Sequence, residues 1–500
     1  MTLSEVGGAA RAGCAIDMEV GKKRVLLFNA KREKCQAVSP HLGLAMLSGV
    51  LTRRGHEVLI VDYQFTHTAP PPTEFVKSFR PDVVGVTLYT ATMKEANAVI
   101  DEVTKFNLPI MVGGPHAALY HDELAGDTRL DYIVAGEAEN VIADVVENAR
   151  PLEKPQFVRA SPPDPKMLPY PEFSFYGREG MTIYPMQTSR GCPNVCSFCA
   201  VHLVSTRKWR PRDPETCVAE LVKAKNELSN LSYVIIFDDN PTVKKDHIKR
   251  FLESYLKERI DLTLTVINTR ADGLDEEIVA MLKKAKCPSI GLGVESGCPE
   301  VFDKIRKGET LDEIRTAAKL VKKHGVPLCL CFVIGLEGDS LEKTKDSIAL
   351  AKELKPDHII WNMITPFKGT RIREWYDENG RVFDVINRSS YVDGDFVCDE
   401  PCAESPDFSV EDRKKAYLMA ILETNDNKLR LRHIPRLLPS VRKYRLFGEF
   451  FRWIPQQMAK DLRRLGALAR RAIRLFREEG PTQAARKILR YIRPSESANR

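Results

Sequence analysis

The sequence predicts an α/β protein with a doubly wound parallel sheet, then a partial parallel barrel of six strand and helix units, then a basic helical segment. Three observations carry this. Short apolar runs alternate with helix-length amphipathic stretches from residue 24 to residue 376, the pattern of parallel strands covered on both faces. A proline-dense stretch over 151–180, with Pro151, Pro155, Pro162, Pro163, Pro165, Pro169 and Pro171, divides that succession in two. Charge also changes sign along the chain. Residues 411–500 carry 23 Lys and Arg against 9 Asp and Glu, an excess of +14 that leaves the preceding 410 residues at −7.

The first unit, residues 23–150, opens on the apolar run 24–30 and continues through an amphipathic helix over 42–55 closed by Gly55. A strand over 57–63, a strand over 82–89, a helix over 93–106 and a strand over 109–114 follow. In open parallel sheets ligands sit beyond the carboxyl ends of the strands. Here those ends carry Val61-Asp62, Thr87-Leu88-Tyr89, Gly113-Gly114-Pro115-His116 and Gly136-Glu137. Residues 1–22 read as a flexible leader without the basic-then-apolar order of a secretory signal, so the twelve cysteines are expected reduced.

The second unit, residues 181–408, starts with a strand over 182–189 that runs into Arg190-Gly191 and the triplet Cys192-x3-Cys196-x2-Cys199. Three thiolates this close on one loop can hold three irons of a [4Fe-4S] cube and leave the fourth iron open to an external chelator. A zinc site completed by His202 is the alternative, although zinc ligands usually come as separated cysteine pairs. Five more strands follow, over 233–240, 262–270, 289–296, 327–336 and 358–366, separated by helices over 214–228, 248–260, 276–286, 312–325 and 341–354. In parallel barrels reactive groups leave the carboxyl ends of the strands. Those ends hold Asp238-Asp239-Asn240, Arg270, Glu295-Ser296-Gly297, Gly335 to Asp339, and Pro366 to Thr370. Cys398 and Cys402 supply only two ligands toward any second metal site, and Cys217, Cys287, Cys329 and Cys331 read as buried thiols.

The cysteine spacing, with Phe198 just before the third cysteine, resembles the radical S-adenosylmethionine (radical SAM) superfamily. The resemblance implies that Cys192, Cys196 and Cys199 ligate the cluster, and that Phe198, Asp238, Asp239, Arg270, Glu295 and Ser296 surround S-adenosylmethionine. The first unit, from Pro40-x-x-Gly43 through Thr87 and Gly113-Gly114 to the Gly136–Glu139 turn, resembles a flavodoxin-like cobalamin-binding domain. That implies cobalamin contacts from Thr87, Leu88, Tyr89, Gly113, Gly114, Pro115, Gly136 and Glu137. The Asp-x-His-x-x-Gly motif of one branch of that family is missing after Asp62, which leaves Tyr63, Tyr89 or water near the lower face of the corrin.

Together the two units resemble cobalamin-dependent radical SAM enzymes. Their expected cofactors are a [4Fe-4S] cluster, S-adenosylmethionine and cobalamin, and their leading reaction is methylation of an unactivated carbon in a natural-product or lipid-type substrate. Cyclisation or rearrangement on the same architecture is the alternative. A non-catalytic cobalamin- or SAM-binding regulator is a third reading, against which the open-iron loop speaks. The quoted residues single out no general acid or base. A flavodoxin or ferredoxin is the expected reductant.

The last segment, residues 409–500, is helical and basic. Leu462, Leu465, Ala469, Ala472 and Phe476 recur at three and four, with Arg463, Arg464, Arg470, Arg471, Arg474 and Arg477 around them. Such a helix either lies peripherally on an anionic membrane or packs on the barrel with a solvated charged face. The acidic first 410 residues argue against nucleic acid. The expected location is cytoplasmic, extending to the inner face of the membrane.

Overall fold

The computed structural model describes residues 21–31, 39–65, 69–173, 180–388, 400–424, 429, 431–463 and 466. The leader over 1–20, His67, Cys398 and most of the basic segment beyond 463 lie outside the described residues.

Six parallel strands build the first sheet: β1 (Arg24–Asn29), β2 (Glu57–Asp62), β3 (Val83–Thr87), β4 (Ile110–Gly113), β5 (Tyr132–Ala135) and β6 (Gln156–Arg159), in the order β2-β1-β3-β4-β5-β6. Strand period sorts the apolar residues onto two faces. Leu26, Phe28, Val84, Val86 and Val112 fill one core and Val25, Leu27, Ile60, Val83 and Met111 the other. Strand order reverses between β1 and β3, so the loops leaving those strands diverge and open a crevice. The stretch over 151–180, read from its prolines as an extended linker, supplies β6 at the sheet edge. Its four residues pair with β5 from Tyr132↔Gln156 to Ala135↔Arg159, and its prolines fall outside the strand.

The second unit contains β7 (Ile183–Met186), β8 (Tyr233–Ile236), β9 (Thr263–Val266), β10 (Ile290–Glu295), β11 (Leu328–Ile334) and β12 (His358–Met363). They form two parallel triplets, β9-β8-β7 and β10-β11-β12, which makes an open barrel. The Thr269 hydroxyl donates to the Gly291 carbonyl across the seam between the triplets. On β11, Leu328, Leu330, Phe332 and Ile334 are buried outward under helices, while Cys329, Cys331 and Val333 alternate with them and are only half-buried. Side-chain caps at Asp213, Asp275, Thr310 and Ser340 start the helices that return between strands, each satisfying a backbone N–H that would otherwise be orphaned.

Part of the basic C-terminal region is core. Helix Val410–Glu423 buries Ala416 through Leu422 in the same cluster as the barrel strands. Its Arg413, 1 % exposed, lies over the Tyr376 and Phe408 rings at 5.2 and 5.0 Å and donates to the Tyr376 hydroxyl at 2.6 Å. Gly335, with φ +91°, makes room for it, since a Cβ there would stand 2.5 Å from Arg413 Nη1.

Candidate active site

The carboxyl ends of the two sheets meet. Arg190, at the start of the cysteine loop, pairs with Glu137 and Glu139 of the first domain at 3.0 and 2.7 Å. Arg210 and Ser205, from the far side of the loop, also bind Glu137. Burial pushes the Glu137 carboxyl up, but Arg210, Arg190 and Ser205 outweigh it and hold the group below its ordinary range. Beyond β12, Lys368 pairs with Asp122 and Glu123 at 3.5 and 3.6 Å. Leu119 and Tyr120 form an apolar wall with Leu203, Val204, Phe367 and the buried Cys402.

The loop carrying Cys192, Cys196 and Cys199 is pinned on every side. A short antiparallel ladder, Ser189↔Pro211 and Arg190↔Arg210, closes its base. Gly191 N–H donates to Asp239 at 2.7 Å, Cys192 N–H to the Thr206 carbonyl at 3.1 Å, and Ser197 N–H to the Ile305 carbonyl at 2.8 Å. Gly191 has φ +82°, and a Cβ there would stand 2.3 Å from the Lys208 carbonyl oxygen and 2.8 Å from that of Thr206. Both neighbours are backbone and cannot rotate away. Gly191→Ala is therefore expected to cost at least about 2 kcal/mol and to lower iron incorporation. Denaturant midpoints and iron content would check it; an alanine variant with full iron and an unchanged midpoint would contradict the geometry.

The donor set suits a cluster. Burial, and then Cys199, push the Cys196 thiol up to about 12, while Lys307 and Arg270 pull the other way. Burial also raises Cys199, to which Cys192 adds. The thiols thus share one electrostatic neighbourhood, and burial favours the protonated form of Cys196 and Cys199 in the absence of a metal. No three His, Cys, Asp or Glu among the described residues stand close enough to hold a single metal ion. The cysteine trio with His202 is therefore not gathered around the position of one zinc ion. Nor does Cys402 belong to a ligand trio among the described residues.

Beside Cys196 lies a buried charge cluster. Lys307 pairs with Glu295 at 3.2 Å and Glu309 at 3.1 Å, their side chains being 6, 12 and 0 % exposed. Arg270 donates to the Lys307 carbonyl at 2.8 Å and stands 3.7 Å from Glu309. Glu295 sits at a β-bulge with φ +65°, a conformation costly for a non-glycine residue and one that surrounding structure must enforce. Gly293 leaves the space: a Cβ there would lie 2.4 Å from Glu295 Oε1 and 3.0 Å from Lys307 Nζ.

The other residues named from sequence divide into two groups. Phe198 packs half-buried on the barrel core, and Asp239 faces the cysteine loop. Asp238 is fully buried and spends its oxygens on the Thr188 N–H and hydroxyl and the Ser189 hydroxyl, at 2.6–2.7 Å. Ser296 is buried and accepts from the Cys298 N–H at 3.2 Å.

In the first domain, Tyr89, Gly113, Gly114 and Pro115 are half-buried at the carboxyl ends of β3 and β4, where Thr87 and Leu88 are buried. Gly114 needs its φ of +94°, because a Cβ would lie 2.8 Å from the Thr87 hydroxyl. Gly136 and Glu137 stand farther along, and the Glu137 carboxylate is turned to Arg190 and Arg210. Tyr63 donates to the Pro70 carbonyl at 2.8 Å. Tyr89 bonds His41 Nε2 at 3.0 Å, and His41 Nδ1 caps the helix by accepting from Leu44 N–H. Sequence reading missed His41, although it lies inside the quoted Pro40-x-x-Gly43. It also missed Arg190, Arg210 and Glu309 as site-shaping residues. A charged residue two positions before Cys192 was the signal for Arg190.

His116 bonds Thr90 at 3.0 Å and stacks on Tyr120 at 4.5 Å. Burial lowers it to about 4, and burial likewise lowers His247 to about 4. Each imidazole is neutral when folded, so stability is full above pH 6.5 and falls as pH drops toward 4, by up to about 3 kcal/mol per histidine. His116→Gln is expected to flatten that slope in urea melts taken across this window. An unchanged slope would mean that His116 titrates normally.

Two family models match: the B12 binding domain over residues 32–146 and the Radical SAM superfamily over 186–351. The chain is 29% identical over 364 residues to an uncharacterized methyltransferase of Pyrococcus horikoshii, covering 67% of this chain and 78% of the relative. It is 25% identical over 379 residues to the anaerobic magnesium-protoporphyrin IX monomethyl ester cyclase of Rubrivivax gelatinosus, covering 69% and 68%. Among solved structures, the cobalamin-dependent S-adenosylmethionine radical enzyme OxsB, with aqua-cobalamin and S-adenosylmethionine bound, superposes with a TM-score of 0.61 at 15% identity over 95% of this chain and 75% of that one. With the cysteine loop of a radical SAM barrel closed against the carboxyl end of a B12-binding sheet, the chain belongs to the radical SAM enzymes that carry a cobalamin-binding domain, whose cofactors are a [4Fe-4S] cluster, S-adenosylmethionine and cobalamin.

Proposed function

We propose that this enzyme methylates an unactivated carbon of a natural-product or lipid-type small molecule, with a flavodoxin or ferredoxin as reductant in the cytoplasm. The observation that carries the reading is the meeting of the two carboxyl ends, closed by the Glu137 ties and the apolar wall of Tyr120, Leu203 and Phe367. Such a closed face supports two cofactors acting on one dry substrate site. When bound, the cluster with S-adenosylmethionine supplies a carbon-centred radical, and cobalamin supplies the methyl group.

The chain's own residues then divide the work. Cys192, Cys196 and Cys199 hold iron. Glu295, set by Lys307 and Gly293, presents its carboxylate to an ammonium group, while Arg270, Phe198 and Asp239 line the same pocket. Asp238 and Ser296 act as positioning residues, because their polar atoms are already engaged by Thr188, Ser189 and the Cys298 N–H. Thr87, Tyr89, Gly113, Gly114, Pro115 and Gly136 border the cobalamin crevice above Leu88, and Glu137 fixes the distance between the two domains.

The test is anaerobic turnover of reconstituted protein with S-adenosylmethionine bearing a deuterated methyl. The expected result is formation of both 5′-deoxyadenosine and S-adenosylhomocysteine, with label recovered on the protein-bound corrinoid. Deoxyadenosine without label transfer would replace methylation by a ring-forming reaction, the second reading, which the name of the Rubrivivax relative favours. Neither product would leave a cofactor-binding regulator.

A further inference from the structure

The helix over 447–463 has one buried face and one exposed apolar face. Phe450, Trp453 and Gln457 are 3, 0 and 0 % exposed and close the barrel core, whereas Phe447, Phe451, Met458 and Leu462 are 45, 65, 49 and 65 % exposed. At about 100° per residue these four fall within a sector of about 60°, so they form one stripe rather than scattered apolar residues. The preceding helix, Ile434–Tyr444, adds Leu438 at 45 %. Continuous exposed apolar surface of this kind marks a contact face.

Charge selects the partner. Arg436, Arg442, Lys443, Arg445, Arg452 and Arg463 are exposed on these two helices, against Glu449 and Asp461; Lys443 pairs with Glu411, and Arg452 with Glu423 and Glu449, which leaves the region basic. The chain over 464–500 adds ten Lys or Arg against three acidic residues. That segment would bring like charge onto a basic rim, and so would a second copy. An anionic surface brings the complementary charge. No helix among the described residues is long and apolar enough to cross a membrane, so the contact lies on the surface.

We propose that the helix over 447–463 docks this protein on an anionic lipid bilayer, with Phe447, Phe451, Met458 and Leu462 entering the acyl boundary and the arginines meeting the headgroups. The inference is independent of the reaction catalysed. Its probe is the full-length reconstituted protein floated with vesicles of phosphatidylcholine, or of equal parts phosphatidylcholine and phosphatidylglycerol.

Binding to the anionic vesicles alone is expected, weakening as salt rises. The double variant Phe451→Ser with Leu462→Ser should partition at least about tenfold less, with an unchanged melting temperature. No partition onto the anionic vesicles, or equal partition of the variant, overturns the proposal. So does a solution mass of two chains that falls to one in the variant, which gives the stripe to a second copy. A lowered melting temperature without an effect of vesicles gives it to residues 464–500.

Discussion

Cys196→Ala is expected to abolish the visible absorption of the reconstituted cluster and to lower S-adenosylmethionine cleavage below about a thousandth of the parent rate, because the reaction has no protein group that can substitute for the cluster. The fold should survive. Cys196 sits on a loop held by backbone bonds from Gly191, Cys192 and Ser197, none of which uses its thiol. Cys217→Ala removes a thiol that is more deeply buried but lies in helix Pro214–Glu227, and it should leave cluster and cleavage intact. Full cleavage by the Cys196 variant, or loss in both, would refute the three-ligand assignment. The raised Cys196 thiol adds a pH dependence: iron must displace a proton, so loading should become harder as pH falls.

Lys307→Met is expected to destabilise the protein by about 3–5 kcal/mol, the cost of leaving buried carboxylates without their cation. Glu309 is fully buried and Glu295 nearly so, and Lys307 reaches both. Arg270 is 3.7 Å from Glu309 and already bonds Asp272 at 2.7 Å, so it offers only partial compensation. In the variant the lone carboxylates take up protons more readily when folded than when unfolded. Its deficit should therefore shrink as pH falls. Adding Glu309→Gln should restore part of the loss, the non-additivity expected of residues in contact. Denaturant midpoints of the single and double variants decide it. A Lys307→Met protein as stable as the parent would show that water reaches this cluster.

The elements were legible to different degrees, for reasons that particular residues make plain. The strands of both sheets announced themselves because parallel strands buried on two faces need unbroken runs of Val, Ile and Leu, as in Val83–Thr87 and Leu328–Ile334. β6 did not: Gln156–Arg159 is an edge strand, mostly exposed, and sits among prolines. The Cys192, Cys196 and Cys199 triplet was legible because residues on one short loop carry their geometry in their spacing. Asp238 and Asp239 were indistinguishable in sequence. Strand alternation sends the first inward to Thr188 and Ser189 and the second toward Gly191. A helical period divides the aromatics near the C-terminus, burying Phe450 and Trp453 and exposing Phe447 and Phe451.

By itself the sequence determined the two α/β units, their order, the cysteine triplet on one loop and the basic end of the chain, because local spacing and strand or helix period encode these. Tertiary structure alone decided what Glu137, Lys307 and Arg413 do. Glu137 joins Arg190 and Arg210 from 53 and 73 residues away. Lys307 bridges two carboxylates beneath the cysteine loop, and Arg413 fills the space that Gly335 leaves. The partner of a buried charge is chosen by which chain segments the fold brings within about 4 Å, where removal from water makes pairing obligatory. No local pattern in the sequence records that choice.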